Sequence, residues 1–233
     1  MIPFFCFFVF ENTRMDSDNL DLNSMAVDLF DRLANHYENR FMDVSLYSDS
    51  FDLFCERVVP EQATVLELAC GPGNITKYIL EKRPDFQLLA TDLAPKMLEL
   101  AKKNNPNASV QLVDCREINQ LGRTFDAIIS GFCFPYLSKE EAIQFIRDAS
   151  GILNSTGVLY ISTMEDDYSK SAWKQSSTGD GQLFMHFHQA DYLLKALEDN
   201  GFNTIEVNRK TYPAHDGTLT TDLLILAVKG RFG

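Results

Sequence analysis

The sequence predicts an α/β fold: a doubly wound, mostly parallel seven-stranded sheet with an antiparallel C-terminal β-hairpin strand. Three observations support this prediction. Strand-like and helix-like patterns alternate from residue 64 onward, as in folds built from β-α units. The apolar run at residues 64–69 ends in a glycine turn that opens a helix,. The last two strand-like segments have no helix between them, so we expect them to pair antiparallel.

The elements follow from the spacing of apolar residues. Between residues 24 and 42, Phe30, Leu33, Tyr37 and Phe41 recur every three or four positions, which indicates an amphipathic helix. Later segments show short apolar runs or the helical period in turn. The predicted order is strand 64–69, helix 75–82, strand 87–91, a helix from residue 95, strands 109–113 and 125–130, a helix from residue 139, strand 157–163, a helix around 193–197, and strands 203–211 and 223–228.

Three helix boundaries have local signals. Pro95 suits the first position of a helix because its φ angle is already helical. Ser138, followed three positions later by Glu141, forms a capping-box pattern,. Gly201 follows Asn200 at the end of a helical pattern and suits the left-handed C-terminal cap.

We predict a single domain, because no linker, repeat or low-complexity tract divides the 233 residues,. We expect residues 1–23 to be a flexible or dispensable segment, with Met15 as an alternative start. The first ten residues are apolar but too few to span a bilayer,, and no signal-peptide pattern follows them. The rest divides into a helical cap at 24–60, a cofactor-binding half at 61–164, a lid-like insertion at 165–188, and a C-terminal helix and hairpin at 189–233.

Composition limits the classes of function. The formal net charge is −12 and Lys and Arg form no cluster, which disfavours a nucleic-acid partner. The five cysteines contain no C-x-x-C pair, so neither a zinc site nor a disulfide framework is indicated. We expect a cytoplasmic protein without a metal or stable membrane insertion, a monomer or homodimer that acts on a small-molecule substrate.

The glycine turn predicts a nucleotide-type pocket. Glu67, Asp92 and Asp114 lie at the ends of the first three predicted strands, and such strand ends meet at one crevice. Three carboxylates there favour a ligand that carries an ammonium, a sulfonium and hydroxyl groups over a diphosphate. These properties indicate S-adenosylmethionine.

NAD is the competing cofactor. Its fingerprint needs a third glycine where this chain has Thr76, whose branched side chain would push the helix away from the strand,. Glu67 beside a pyrophosphate would also cost on the order of several kcal/mol. An NAD-dependent oxidoreductase is therefore the weaker alternative. A non-catalytic subunit or regulator that binds S-adenosylmethionine also stays open.

Four segments resemble the successive motifs of class I S-adenosylmethionine-dependent methyltransferases: VLELACGPG at 65–73, ATDLAPKM at 90–97, VQLVD at 110–114 and FDAIIS at 125–130. The resemblance covers about residues 25–230 and implies specific roles. Glu67, Gly71 and Gly73 would surround the methionine part of the cofactor, and Asp92 would bind both ribose hydroxyls. The other implied contacts are Leu93 and Met97 on the two faces of the adenine, Asp114 at its exocyclic amine, the backbone N–H of Cys115, and Ser130 and Phe132 beneath the sulfonium.

The methyl acceptor is less defined. Methyltransferases that act on nucleobase amino groups usually carry [DNS]-P-P-[YFW] after the fourth strand, whereas this chain has only Pro135, preceded by Phe134. The carboxylate-rich metal set of catechol methyltransferases is also missing at this point. The resemblance therefore implies a metal-free small-molecule acceptor, methylated by in-line displacement.

Three residues are candidates for catalysis. His186 and His188 would point to one side of an extended segment and could supply a base, although hydrogen bonding within a loop is the commoner role. Tyr37 could cover the methionine end of the cofactor or simply belong to the core. Residues 165–188, with Trp173, could form a lid or only cover the edge of the sheet. We expect Arg116 to pair with Asp114 rather than with an acidic substrate.

Overall fold

A computed structural model describes residues 22–176, 179–213 and 218–230. The helices are α1 (Leu22–Phe41), α2 (Ser48–Arg57), α3 (Asn74–Lys82), α4 (Pro95–Asn104), α5 (Lys139–Ile152) and α6 (Ala190–Asp199). The strands are β1 (Thr64–Leu68), β2 (Gln87–Asp92), β3 (Ser109–Leu112), β4 (Phe125–Gly131), β5 (Leu153–Met164), β6 (Ala172–Gln175), β7 (Gln182–Met185), β8 (Phe202–Pro213) and β9 (Leu219–Lys229).

Seven strands form one sheet in the order β3-β2-β1-β4-β5-β9-β8. The first five pair in parallel, and β9 lies antiparallel between β5 and β8. The predicted fold class is confirmed. The strand order reverses between β1 and β4, and ligands bind at such a switch point, outside the carboxyl ends of the strands. The fold therefore places a crevice beyond Leu68 and Gly131.

Side chains alternate between two apolar cores, one on each face of the sheet. Val65 and Ile129 belong to the core that includes residues of α2, α3 and α4. Leu66 and Ile128 belong to the core that includes α5 and α6. This alternation is what a strand buried on both faces requires, and it fixes which residues at each strand end face the crevice.

The three local boundary signals are found in the structure. Pro95 begins α4. The Ser138 hydroxyl accepts a hydrogen bond from the Glu141 N–H at 3.2 Å, and the Glu141 carboxylate accepts one from the Ser138 N–H at 2.7 Å. Gly201 follows α6 with a φ of +80°.

Three regions differ from the sequence-based expectation or lie beyond its test. Helix α2 lies within the helical cap expected at 24–60, but no separate helix was predicted at Ser48–Arg57, where the apolar residues are interspersed with polar ones. It forms through tertiary packing of Phe51, whose ring lies 5.5 Å from that of Tyr160. The expected lid-like insertion is not an irregular loop, since β6 and β7 pair antiparallel within it. Most of the segment expected to be flexible or dispensable, residues 1–21, lies outside the described ranges. Residues 22 and 23 belong to α1, which begins at Leu22.

Candidate functional site

The glycine turn between β1 and α3 is held by backbone geometry. Gly71 and Gly73 have φ angles of +54° and +82°, a left-handed conformation that glycine adopts without steric cost. A Cβ atom on Gly73 would lie 2.3 Å from the Asn105 Nδ2 atom and 3.1 Å from the Ala101 Cα atom. Gly73 is therefore required for the turn to pack against α4, and it does not line the cavity described below.

Asp92, the last residue of β2, joins this turn to the start of α4. Its Oδ2 accepts the N–H of Gly71 at 2.9 Å, and its Oδ1 accepts the N–H of Ala94 at 2.8 Å. Each carboxylate oxygen can accept a second hydrogen bond. Burial raises the pKa of Asp92, although its backbone donors oppose that rise. The carboxylate is thus fixed in place with acceptor capacity left over.

A cavity lies at the carboxyl ends of β1 to β4, where the topology places the crevice. Seven of the predicted cofactor-binding residues line it: Gly71, Asp92, Leu93, Met97, Asp114, Cys115 and Phe132. Three do not, namely Glu67, Gly73 and Ser130. Ser130 is fully buried in β4, and its hydroxyl has no hydrogen-bond partner in the described part of the chain.

Glu67 lies behind the cavity wall and is only 1% exposed. Its Oε2 accepts a hydrogen bond from the Thr76 hydroxyl at 2.5 Å, while Oε1 has no partner among the described residues. Burial raises the pKa of Glu67 to about 8, with the Thr76 hydrogen bonds opposing the rise. The carboxyl group is therefore mostly protonated at neutral pH, so the full negative charge used in the sequence argument against NAD is not present there.

Thr76 itself was expected to push α3 away from β1. It is instead completely buried between them. Thr76 occupies the position of the third glycine of the NAD fingerprint, and its hydroxyl donates a hydrogen bond to Glu67. The helix and strand are thus linked by a polar contact at this position.

The segment that follows β3 forms another part of the cavity lining. Arg116 binds Asp114 with its guanidinium, at 2.6 Å from Nη2 to Oδ2 and 3.0 Å from Nε to Oδ1. The pairing expected between these two residues is confirmed. Cys115 lies next to Cys133, with 3.2 Å between the two Sγ atoms.

Helix α1 covers the cavity. The residues that it contributes recur at helical spacing: Asn23, Ala26, Val27, Phe30 and Tyr37. The Tyr37 ring lies over the glycine turn, where its Cε1 atom would be 3.9 Å from a Cβ on Gly71. Phe30 contacts Tyr37 and Tyr136 edge-on, with ring centroids 5.7 and 5.2 Å apart. Burial raises the pKa of Tyr37 far above its usual range, so its hydroxyl stays protonated.

Apart from Tyr37, these covering residues and Tyr136 were not predicted as site residues. The i, i+3, i+4 spacing of α1 was visible in the sequence. It did not indicate that this apolar face would meet the crevice rather than the core.

His186 and His188 come together, with ring centroids 6.4 Å apart, but neither lines the cavity. The Nε2 of His188 bonds the Phe134 carbonyl at 2.8 Å and its Nδ1 bonds the Tyr192 hydroxyl. Burial lowers the pKa of His188 to about 4 and also lowers that of His186. Both rings are neutral at pH 7. His188 could act as a base only after one of its two hydrogen bonds breaks. Its catalytic role stays a prediction.

The described ranges contain no group of three or more His, Cys, Asp or Glu side chains arranged to hold a metal ion. They also contain no helix with the length and apolar character needed to cross a bilayer.

Comparisons with known proteins agree with this geometry. A family described as a methyltransferase domain matches residues 65–157. An uncharacterized methyltransferase of Alkaliphilus oremlandii is 28% identical over 208 residues, which are 85% of this chain and 87% of that protein.

Two solved structures share the fold. Magnesium protoporphyrin IX methyltransferase from Synechocystis PCC 6803, with bound S-adenosylmethionine, has a TM-score of 0.67 at 16% identity, covering 92% of this chain and all of that one. The 1,6-didemethyltoxoflavin-N1-methyltransferase of Burkholderia thailandensis, with S-adenosylhomocysteine, has a TM-score of 0.66 at 17% identity, covering 93% and 94%.

The matched domain spans the part of the chain that builds the glycine turn, Asp92, the segment around Asp114 and the end of β4. The resemblance found in the motifs, the sheet order and the relatives therefore lead to the same assignment. Over residues 65–157 the chain matches a methyltransferase domain, and its fold is that of the class I, Rossmann-like S-adenosylmethionine-dependent methyltransferases.

Proposed function

We propose that this methyltransferase transfers the methyl group of S-adenosylmethionine to a small organic acceptor by in-line displacement. The observation that carries the proposal is the cavity at the switch point, where the fixed carboxylate of Asp92 lies beside the apolar Leu93 and Met97. An adenosine group needs this combination, because its ribose presents two hydroxyl donors and its base presents a flat apolar surface.

The residues fit the cofactor in two respects. Asp92 keeps acceptor capacity on both oxygens for the ribose hydroxyls. Glu67, directly behind the glycine turn, has a buried Oε1 without a partner among the described residues, and a shift of the turn on binding would let the amino group of the cofactor become that partner. In our proposal Gly71 lies along the methionine part, and Asp114 and Cys115 lie at the adenine edge.

Arg116 constrains the role of Asp114. Both its guanidinium and its backbone N–H donate to this carboxylate. We therefore assign Asp114 to the adenine edge of the site, with Arg116 as the positioning residue that fixes the orientation of the carboxylate.

When bound, S-adenosylmethionine supplies a methyl group activated by the positive charge on sulfur. The protein therefore has to align the acceptor and exclude water. Helix α1 provides the exclusion, since Phe30 and Tyr37 close the cavity from above. Phe132, at the end of β4, forms the floor next to the acceptor side; its φ of +55° is rare for a residue other than glycine,.

A small organic acceptor is supported by the names of two fold relatives, which act on magnesium protoporphyrin IX and on 1,6-didemethyltoxoflavin. The net charge of −12 also opposes a polyanionic acceptor,. The experiment is transfer of label from tritiated S-adenosylmethionine into three pools: deproteinised metabolites, RNA and protein. We expect label in the metabolite pool. Label confined to RNA or protein would refute the small-molecule proposal.

Asp92→Ala tests the site in the same assay. Loss of the ribose contacts should reduce transfer at least tenfold at limiting cofactor. Asp199→Ala is the matched control, because Asp199 is exposed at the end of α6 and its ion pair among the described residues is with Lys195 on the same helix. Equal transfer by the two variants would contradict the assigned pocket.

A further inference from the structure

Asp222 is a buried carboxylate that the proposed reaction has not used. It lies on β9 and is completely buried. Its Oδ2 accepts hydrogen bonds from the hydroxyls of Tyr47, at 2.7 Å, and Tyr212, at 2.9 Å. Its Oδ1 is buried and has no partner within the described residues. A carboxylate oxygen in that state is costly, so the position calls for an explanation.

No cation in the described part of the chain pairs with Asp222. Its cross-strand neighbour on β8 is Lys210, but the Lys210 Nζ lies 2.5 Å from Asp49 of α2. Burial raises the pKa of Asp222 to about 6, which leaves the group mostly ionised at neutral pH. The result is a buried negative charge stabilised by two phenol donors and by no positive group.

The position of Asp222 relates it to the methyl-transfer site. It pairs with Met164, the last residue of β5, so it lies at the carboxyl edge of the sheet. Strand β9 is two strands from β4, which places it about 10 Å away. The cofactor cavity occupies the other side of β4, so Asp222 lies in the half of the edge that is left for the acceptor.

Tyr47 and Phe132 connect the two halves. The ring of Tyr47 lies 5.2 Å from that of Phe132, which lines the cofactor cavity. The N–H of Phe132 donates to the Ser162 hydroxyl of β5 at 3.0 Å. One wall of the cavity is therefore also in contact with the residue that covers the Asp222 carboxylate.

From these contacts we infer that Asp222, with Tyr47 and Tyr212, binds a protonated nitrogen of the methyl acceptor. The inference rests on the proposed function and adds the chemical class of its substrate. A carboxylate bordered by aromatic rings suits an ammonium, which gains both a charge-assisted hydrogen bond and contact with the ring faces. The negative charge of Asp222 would repel an acceptor that presents a carboxylate at this end. Because Asp222 and Tyr47 are both buried in this structure, side chains around the carboxylate must move to admit the ligand.

The test uses tritiated S-adenosylmethionine and two sets of one-ring acceptors. The cationic set is tyramine and histamine, each of which keeps a second nucleophilic atom for the methyl group while its ammonium is bound; the matched set is p-cresol and 4-hydroxyphenylacetate. We expect the wild-type protein to label the cationic set preferentially. Asp222→Asn keeps the shape and removes the charge, so it should raise KM for the best amine at least tenfold while the affinity for S-adenosylhomocysteine changes less than twofold.

A purely structural Asp222 would give a different result, because Asp222→Asn would then lower transfer to both sets equally. That outcome, or preferential labelling of the carboxylate acceptor, overturns the inference and leaves the proposed function standing. No label in either set, with S-adenosylhomocysteine still bound, would count against the small-molecule function itself. If Asp222→Asn does not fold, a crystal of the wild-type protein with S-adenosylhomocysteine and tyramine decides: nitrogen within hydrogen-bond distance of Oδ1 supports the inference, and nitrogen elsewhere refutes it.

Discussion

Glu67→Gln should change how the stability of the protein depends on pH. In the folded state burial raises the pKa of Glu67 from its ordinary value of 4.5 to about 8. The stability contribution of this raised pKa is fully present below pH 4.5, where the unfolded chain is also protonated. It is lost as the pH rises toward 8, because the unfolded chain releases its proton and the folded chain does not.

The structure sets the magnitude. The interval between 4.5 and about 8, at about 1.4 kcal/mol for each pH unit, corresponds to a total loss of about 5 kcal/mol. Between pH 5 and pH 7, wild-type protein should therefore lose about 3 kcal/mol of unfolding free energy relative to Glu67→Gln. Glutamine does not titrate, and its amide can still accept the Thr76 hydroxyl.

The assay is urea unfolding of both proteins at pH 5, 6 and 7, with the difference between them taken at each pH so that other titrating groups cancel. Glu99→Gln serves as the control, because Glu99 is exposed on α4. Parallel stability curves for wild type and Glu67→Gln would show that Glu67 does not hold its proton in the folded state, and the reasoning about this carboxyl group would be wrong.

Three other predictions follow from single contacts. Gly73→Ala should destabilise the fold by about 3 kcal/mol and weaken S-adenosylhomocysteine binding, since the new Cβ would meet Asn105,; Gly122→Ala, at a φ of +63° with open space around it, should cost only about 1 kcal/mol in the same chemical unfolding measurement. Acid should destabilise the wild-type protein more than His188→Asn. In the folded protein the pKa of His188 is lowered to about 4, so the stability that this residue contributes is present above pH 6.5 and lost as the pH falls through 4. Thermal melts at pH 7 and 5 that shift equally in both proteins would contradict this. Phe30→Ala should open the cavity below α1 and speed the release of S-adenosylhomocysteine at least fivefold in stopped-flow experiments, and an unchanged rate would remove α1 as the cover.

The sequence was sufficient where the determinant is local. Pro95, the Ser138 capping box and Gly201 fix helix ends through their own backbone preferences, and each boundary was found where it was predicted. The parallel sheet followed from the alternation of patterns. Asp92 and Asp114 were found at the cavity because strand ends in such a sheet share one edge,.

It was insufficient where a residue depends on a distant partner. Thr76 was expected to disrupt packing, and only the geometry shows its hydrogen bond to Glu67 across the helix–strand contact. Asp222 gives no signal in an apolar strand, since its partners Tyr47 and Tyr212 come from separate elements. The charge of Glu67 was also misjudged, because burial, which sets its pKa, cannot be derived from neighbouring residues in the chain.

The most direct test of the central claim is calorimetric titration of the protein with S-adenosylhomocysteine and, separately, with NAD, repeated for Asp92→Ala and Asp199→Ala. The cavity predicts micromolar binding of S-adenosylhomocysteine that is lost in Asp92→Ala and kept in Asp199→Ala, with no heat from NAD. Binding of NAD, or S-adenosylhomocysteine binding that is unaffected by Asp92→Ala, would contradict the placement of the methyl donor at this site.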